Sequence, residues 1–192
     1  MSNMDHEIEC KIKVDSHKGV VARLGQIGAE FVGSFVLRDS YFDFIGHELR
    51  GGDRGLRIRR QIGPDGEKVI VTYKGPREDN PFKSRQEIET SVGEFEFMSQ
   101  ILLALGMKKN IVIEKKRDVW LYGGCEVCLD ELPLLGTFVE VEGENADKIS
   151  AVLEALSLSG LKHIDDGYAR LIKDKLKELG IKDKEVIFTD GN

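Results

Sequence analysis

Hydrophobic and polar residues alternate along most of this chain with the period of two that is typical of half-buried β-strands. In the first such stretch Ile8 and Ile12 fall on one face, while Glu9 and Lys11 fall on the other. Turn-forming residues such as Pro64-Asp65-Gly66 separate the stretches and favour tight hairpins. The pattern predicts eight strands, at residues 7–14, 34–44, 55–62, 68–74, 84–90, 111–121, 126–130 and 137–142.

Four other segments place apolar residues three or four positions apart, which is the spacing of one face of an α-helix. A short helix follows Ser16, which is expected to cap it, and longer helices are predicted at residues 94–105, 145–156 and 165–179. No low-complexity linker divides the chain. Residues 1–180 are therefore predicted to form one domain and residues 181–192 a loose C-terminal tail.

The order of these elements indicates an α+β protein that is mainly antiparallel β-structure. Strands joined by short turns favour an antiparallel sheet or barrel, and the helices between groups of strands are expected to pack outside it.

Composition narrows the class of protein. The chain has 192 residues, of which 41% are hydrophobic, and this is enough for the core of one domain. Its net charge of −6 argues against a general nucleic-acid surface, which is normally basic. The sequence has no apolar run of roughly 18 residues and no secretory signal pattern. Its three cysteines are an odd number, which does not make a disulfide framework. We therefore expect a cytoplasmic protein without a membrane span.

Charged residues of one sign recur on the same face of several predicted strands. The repeated pairs are Glu7/Glu9, Lys11/Lys13, Arg57/Arg59, Glu87/Glu89, Lys115/Arg117, Glu126/Asp130 and Glu140/Glu142. A solvated outer face of a sheet is the ordinary explanation for charge on one side of a strand. Neighbouring like charges are unfavourable, however, and a ligand of opposite sign explains them better. Carboxylate pairs suit hard divalent cations, and Arg and Lys pairs suit phosphate oxygens. Periodicity alone leaves open whether this face turns inward.

The charged segments resemble, in chain order, the motifs of the CYTH superfamily, the triphosphate tunnel metalloenzymes. Glu7-Ile8-Glu9-Cys10-Lys11 is similar to the Glu-x-Glu-x-Lys motif of the first strand in that family. The resemblance covers roughly residues 5–175. The later segments that carry it are Asp39-Ser40-Tyr41-Phe42-Asp43, Gly55-Leu56-Arg57-Ile58-Arg59, Thr72-Tyr73-Lys74-Gly75-Pro76, Arg85-Gln86-Glu87-Ile88-Glu89, Ile113-Glu114-Lys115-Lys116-Arg117, Leu129-Asp130, and Leu135-Gly136-Thr137-Phe138-Val139-Glu140-Val141-Glu142.

The resemblance implies an eight-stranded, closed β-tunnel with the charged face inward and helices packed outside. It implies Mg²⁺ or Mn²⁺ as cofactor, bound by Glu7, Glu9, Asp130, Glu140 and Glu142, with Glu87 and Glu89 as further ligands. It also implies a triphosphate held by Lys11, Arg57, Arg59, Lys74, Lys115 and Arg117, and by Arg85 unless Arg85 pairs with a neighbouring carboxylate. Lys11, Arg57, Lys74 and Arg117 are the residues expected to take part in catalysis.

Two reactions of this family use the same binding chemistry. The resemblance favours an adenylate cyclase of class IV, which converts ATP to cyclic AMP and pyrophosphate. A triphosphatase acting on inorganic or thiamine triphosphate is the alternative, and a binding module without catalysis is a third hypothesis. The expected partner is ATP or another triphosphate, with no nucleic acid. Members of the family often form homodimers, and no residue here establishes or excludes one.

The chain departs from the family near its last helix. Many members have Ser-Tyr there, whereas this sequence has Gly167-Tyr168, and we interpret Tyr168 as a packing residue. Asp165 and Asp166 precede the same helix and are expected to cap it.

Overall fold

The strands form one antiparallel sheet that closes on itself. The computed structural model describes residues 5–189, with side chains from residue 8 onward. The strand order is β2-β3-β4-β5-β1-β8-β7-β6, and β6 pairs back with β2, so the eight-stranded barrel predicted by the resemblance is confirmed. These strands are β1 (Asp5–Val14), β2 (Glu30–Phe44), β3 (Gly55–Gly63), β4 (Gly66–Glu78), β5 (Lys83–Val92), β6 (Met107–Tyr122), β7 (Cys125–Leu132) and β8 (Gly136–Gly143).

Tight turns join neighbouring strands where the sequence predicts them. Gly63 pairs with Gly66 across the two-residue turn between β3 and β4, and Gly66 has a φ of 98°. A side chain rarely adopts that backbone conformation, and glycine adopts it freely. The alternation of each strand therefore continues in register into the next strand, and the charged positions align across the sheet.

The helices cover the apolar outer face of the barrel and one of its ends. They are α1 (Lys18–Gln26), α2 (Glu48–Gly51), α3 (Phe95–Ala104), α4 (Ala146–Ala155) and α5 (Tyr168–Glu178). Ile149 and Val152 of α4 pack against Val127 and Val141, which face outward from β7 and β8. Since the apolar parity of the strands faces these helices, the charged parity faces the lumen.

Helix α5 closes one end of the barrel. Phe138 lies two residues before Glu140 and Ile113 two residues before Lys115, so both belong to the inward-facing parity. At that end the inner face is apolar, and Phe138 and Ile113 pack with Tyr168 and Ile172 of α5 in one buried cluster.

Several local predictions need correction. Part of the predicted loose tail forms a ninth strand, β9 (Glu185–Val186), parallel to β6, because Val186 is buried in the cluster under α5. Helix α5 begins at Tyr168 and no side chain caps it, so Asp165 and Asp166 are not capping residues. Ser16 accepts a hydrogen bond from the Lys18 amide, but His17 occupies the N-cap position of α1.

The described part of the chain contains no helix with the length and apolar character needed to cross a membrane.

Ile172→Ala is expected to lower the free energy of unfolding by about 2–5 kcal/mol, because it leaves a cavity in a fully buried position under α5. Ile101 is a matched control, because it is also a helical isoleucine but is 53% exposed. Urea denaturation of Ile172→Ala and Ile101→Ala measures both values. If Ile172→Ala and Ile101→Ala lower the free energy of unfolding equally, the packing of α5 against the end of the barrel is contradicted.

Candidate functional site

The lumen of the barrel is a charged cavity of about 900 Å³. Lys and Arg slightly outnumber Asp and Glu in its lining, although the whole chain is acidic. Asp130 is fully buried behind Lys115 and Arg117, and the side chain of Glu7 lies outside the described residues. The other predicted site residues that line the cavity are Glu9, Lys11, Arg57, Arg59, Lys74, Arg85, Glu87, Glu89, Lys115, Arg117, Glu140 and Glu142.

One group of buried charges joins β1, β6, β7 and β8. Lys11 Nζ lies 3.1 Å from Glu140 Oε1, and Lys115 Nζ donates to Asp130 Oδ2 at 2.8 Å. Arg117 donates to both oxygens of Asp130, at 2.6 and 2.5 Å, and also to Glu140. These five side chains, three cations and two carboxylates, offset most of one another's charge in the interior, where an unpaired charge is costly.

The buried charges shift one another's pKa values. Burial alone would raise the pKa of Glu140, but Lys11, Lys115 and Arg117 outweigh it and hold that pKa well below its usual value. Burial, reinforced by the neighbouring Arg117, lowers the pKa of Lys115. Burial opposes the charged form of Lys11 as well, but Glu140 and Glu9 outweigh it and raise the pKa of Lys11. Glu140 therefore ionises more readily than an ordinary glutamate and Lys11 holds its proton more firmly than an ordinary lysine, whereas Lys115 holds its proton less firmly.

A second group surrounds Asp39, a residue to which sequence reasoning gave no role. Asp39 accepts two hydrogen bonds from Arg59, at 2.7 and 2.8 Å, and lies 3.7 Å from Arg57 Nη1. Arg57 also donates to Thr72 Oγ1 at 2.9 Å, and Thr72 donates to Glu89 at 2.8 Å. Asp39 therefore fixes the orientation of both arginines. In the sequence, Asp39 is an acidic residue on the predicted strand that comes just before the Arg57/Arg59 strand, and these two strands pair in the structure.

A third group lies along β4, β5 and β1. Lys83 contacts Glu9, and Lys74 contacts Glu87. Lys83 shares the parity of Arg85, Glu87 and Glu89, but the predicted strand began one residue later and the lysine was therefore missed.

Arg85 lies at the edge of the cavity beside the loop that follows α2. Its Nη2 atom is 3.8 Å from Asp53 Oδ1, the kind of pairing that the sequence analysis gave as the alternative to phosphate binding. Arg77 lies directly across from Arg85 on β4 and donates to Asp53 through its amide, at 2.9 Å, and its Nε, at 3.1 Å. The Nε atoms of Arg85 and Arg57 are buried without a hydrogen-bond acceptor among the described residues.

Tyr168 lines the cavity as well as packing at its end. The ammonium groups of Lys11 and Lys115 lie 4.4 and 4.8 Å from the centre of its ring, and Phe138 packs edge-on at 5.3 Å. Burial, with Asp130 next, raises the pKa of the Tyr168 hydroxyl. The ring therefore helps to position two lysines through cation–π contacts, a role that the packing interpretation did not include.

Carboxylates also lie side by side across three strands. Glu9 on β1 pairs in register with Glu142 on β8, and Glu142 pairs with Glu126 on β7. Oxygen donors of this kind suit Mg²⁺ or Mn²⁺, so the chemistry of the donor set fits the implied cofactor. Over residues 8–189, however, no three acidic, His or Cys side chains are arranged as a ready metal site. Glu9 and Glu140 instead contact Lys83, Lys11 and Arg117.

Comparison with known proteins gives one consistent result. The model of the CYTH domain family matches residues 5–168. A Methanocaldococcus jannaschii protein named "Putative adenylate cyclase" is 33% identical over 174 residues, which cover 86% of this chain and 97% of that protein.

Solved structures share the fold. A protein from Pyrococcus horikoshii has a TM-score of 0.77 and 25% identity, covering 88% of this chain and 99% of its own. A Hippeastrum protein, described as a "Putative adenylyl cyclase" that "reveals a dominant" triphosphatase activity, has a TM-score of 0.63. It is 16% identical, with 93% of this chain and 97% of its own covered, and at that identity the likeness concerns the fold alone.

Asp39→Asn is expected to lower the free energy of unfolding near neutral pH by about 3–5 kcal/mol, because it leaves the buried Arg59 without its counter-charge and removes one of the two carboxylates near Arg57. Burial would raise the pKa of Asp39, but Arg59 and Arg57 outweigh it and hold that pKa below the ordinary 3.8. The stabilisation is therefore complete above about pH 3.8 and is lost as the pH falls through the lower, folded-state pKa.

Urea denaturation near pH 7 and near pH 3 measures this effect. The difference in free energy of unfolding between wild type and Asp39→Asn should be smaller at the acidic pH. Asp174→Asn is the control, because Asp174 pairs with Arg170 on the exposed face of α5 and should cost less than about 1 kcal/mol. If Asp39→Asn lowers the free energy of unfolding no more than Asp174→Asn does, or by the same amount at both pH values, this account of Asp39 is contradicted.

Proposed function

Because the chain belongs to the CYTH domain family, we propose that it is an enzyme that binds the triphosphate group of its substrate inside the tunnel and catalyses nucleophilic attack on one phosphorus atom. The observation that carries this proposal is the cavity inside the closed barrel, which is lined by both cations and carboxylates. A polyphosphate with a divalent cation carries both signs of charge, and such a lumen complements both.

The buried arginines support the binding step. The unpartnered Nε atoms of Arg57 and Arg85 lack acceptors, and a buried donor without an acceptor costs about 1–3 kcal/mol. Phosphate oxygens are acceptors that match the planar guanidinium group. The proposed triphosphate ligands remain those of the sequence analysis, namely Lys11, Arg57, Arg59, Lys74, Arg85, Lys115 and Arg117. Arg85 stays in this set because its Nε atom has no acceptor among the described residues, although its Nη2 atom lies 3.8 Å from Asp53.

Carboxylates of adjacent strands are proposed to hold the cofactor. Glu9, Glu140 and Glu142 would bind Mg²⁺ or Mn²⁺, and Glu7, Glu87, Glu89 and Asp130 remain further predicted ligands. A bound divalent cation supplies Lewis-acid neutralisation of the phosphate oxygens. The protein's own cations do the rest. Lys11, Lys115 and Arg117 exchange carboxylate partners for phosphate oxygens and stabilise the charge that grows on the leaving group.

Adenylate cyclase is the first candidate reaction. The relative at 33% identity carries that name, and the sequence motifs resemble the same branch. In this reaction the 3′-hydroxyl of ATP attacks the α-phosphorus, the bond to the β-phosphate oxygen breaks, and pyrophosphate leaves.

Triphosphatase is the second candidate. Charged side chains make up most of the cavity lining, and the structural neighbour from Hippeastrum is described with that activity. Water then attacks the terminal phosphorus, and orthophosphate leaves. A binding module without catalysis stays a third hypothesis.

A cytoplasmic location and association into a homodimer stay predictions. All three cysteines are free thiols in the structure, as expected in a reducing compartment.

Product analysis tests the reaction. The purified protein, incubated with ATP and Mg²⁺ or Mn²⁺, is expected to form cyclic AMP and pyrophosphate in equal amounts, and Glu9→Ala and Lys74→Ala should each lose at least about 100-fold in rate. Lys148→Ala is the control, because Lys148 pairs with the exposed Glu144 and is not among the residues that line the cavity, and this variant should keep its activity. Tripolyphosphate and thiamine triphosphate are tested in parallel.

Three other outcomes lead away from the cyclase. Orthophosphate alone would establish the triphosphatase and reject the cyclase. Binding of triphosphates without turnover would support the binding module. Neither binding nor turnover, in a protein that remains folded, would reject the proposed function.

Removal of divalent cations tests the cofactor. EDTA is expected to abolish turnover, and added Mg²⁺ or Mn²⁺ should restore it. Glu142→Gln should raise the metal concentration for half-maximal rate by roughly tenfold or more, because a ligand oxygen loses its charge. Glu144→Gln, a change two residues away in an exposed ion pair, should leave that concentration unchanged. Full activity in EDTA would rule out the metal dependence.

A further inference from the structure

Two arginines lie side by side at the mouth of the cavity. Arg77 on β4 and Arg85 on β5 are partners in the antiparallel ladder, and both line the cavity. Like charges directly opposite each other on neighbouring strands are unfavourable unless an opposite charge lies close to both. The loop after α2 supplies that charge through Asp53, which also lines the cavity.

The loop holds the Asp53 carboxylate in one place. The Asp53 amide donates to the Arg50 carbonyl at 3.1 Å, and the Arg54 amide donates to the Leu49 carbonyl at 2.8 Å. Asp53 has a φ of 51°, in the left-handed region that Asp tolerates better than most residues. Its Oδ2 atom accepts the Arg77 amide at 2.9 Å, which ties the loop to β4. Backbone contacts on both sides therefore keep this carboxylate at the mouth.

Asp53 binds its two arginines unequally. Arg77 Nε donates to Asp53 Oδ2 at 3.1 Å, whereas Arg85 Nη2 lies 3.8 Å from Oδ1. The second distance is within the range of an ion pair but too long for a hydrogen bond. Asp53 therefore acts on Arg85 through its charge and does not fix the orientation of the guanidinium group. The Nε atom of Arg85 is buried and has no acceptor among the described residues, so Arg85 keeps a donor for another anion.

The exposure of the three side chains makes the Asp53 charge important for Arg85. The side chains of Arg77 and Asp53 are 43% and 46% exposed, whereas that of Arg85 is only 11% exposed. Water therefore screens Arg85 less than Arg77, and an anion beside Arg85 also lies beside a carboxylate of its own sign. The charge of Asp53 lowers the attraction of Arg85 for that anion.

We propose that Asp53 is a built-in counter-ion that competes with the anionic group of the substrate for Arg85, and that it holds the affinity of the tunnel mouth below the value that the two arginines alone would give. This inference rests on the proposed binding of a triphosphate in the tunnel. It does not depend on which reaction follows.

Calorimetric titration with tripolyphosphate tests the competition. The full chain is titrated in EDTA, which prevents metal-dependent turnover, at about 0.15 M salt, which screens charges more than roughly 8 Å away. Asp53→Asn removes the charge and keeps an oxygen acceptor for the Arg77 amide. It is expected to bind tripolyphosphate about three- to fivefold more tightly, which is the upper range for a partly exposed ion pair. Asp53→Gly accepts the positive φ without strain, removes the same charge and should also bind more tightly.

Glu67→Gln is the matched control. Glu67 accepts two hydrogen bonds from Arg60, at 2.6 and 3.1 Å, and neither residue lines this cavity. The variant removes one negative charge from an arginine pair elsewhere on the barrel and should leave the affinity for tripolyphosphate unchanged. Asp53→Glu retains the charge at the mouth and should stay within about twofold of the wild type.

A double-mutant cycle identifies the arginine through which Asp53 acts. Arg85→Gln should weaken binding by itself, and adding Asp53→Asn to it should give no further gain. Arg77→Gln should keep the gain, because Arg85 is then the remaining partner of Asp53. If Asp53 served only to hold the loop, its substitution would change thermal unfolding without this dependence on Arg85.

The outcomes separate this inference from the proposed function. If tripolyphosphate binds neither the wild type nor Asp53→Asn, in proteins that remain folded, both the triphosphate site and the competition are overturned. If it binds the wild type but Asp53→Asn gains no more than Glu67→Gln, the competition alone is wrong. The same holds if the gain persists in the Arg85→Gln background.

Discussion

Mutual neutralisation of charge inside a closed sheet is the constraint on which the rest of this structure depends. Burying a carboxylate or a guanidinium group costs several kcal/mol unless an opposite charge and hydrogen bonds accompany it. Asp130 meets this requirement for Lys115 and Arg117, and Asp39 meets it for Arg57 and Arg59. The acidic residues are therefore needed for stability whether or not they bind a metal ion. A substitution at any of them changes both the fold and the site, which is why control variants are needed to separate the two effects.

The sequence predicted the parity of the strands well because parity is a local property. Same-sign pairs such as Arg57/Arg59 and Glu140/Glu142 share a face, and the structure places that face in the lumen. Which charges meet across the lumen depends on the register of strands far apart in the chain, and no local pattern encodes it. The role of Asp39 was missed for this reason, whereas Lys83 was missed because the predicted strand began one residue too late. Tyr168 was assigned to packing because an aromatic residue at a helix start gives no sign of two lysines above its ring.

Under the proposed function, one tunnel is compatible with two reactions because its cations would bind the phosphate chain and not what the chain is attached to. Arg and Lys recognise phosphate oxygens in the same way at the α, β or γ position. In that proposal the reaction would be decided by how far the chain enters before its terminal phosphate meets a fixed cation. The positions of the cations along the tunnel, rather than their number, would separate attack by a ribose hydroxyl from attack by water.

The closure of the sheet through β1 has a consequence for the order of folding. Of the eight barrel strands β1 is synthesised first, yet its partners are β5 and β8, and β8 ends at Gly143. Pairings so distant in sequence form slowly and late, since a long loop must first be closed. Until β5 and β8 have been synthesised, both edges of β1 lack hydrogen-bonded partner strands, and such a strand favours association with other nascent chains. Its alternating glutamates and lysines keep that exposed strand soluble, so the residues proposed to bind substrate also protect the nascent chain.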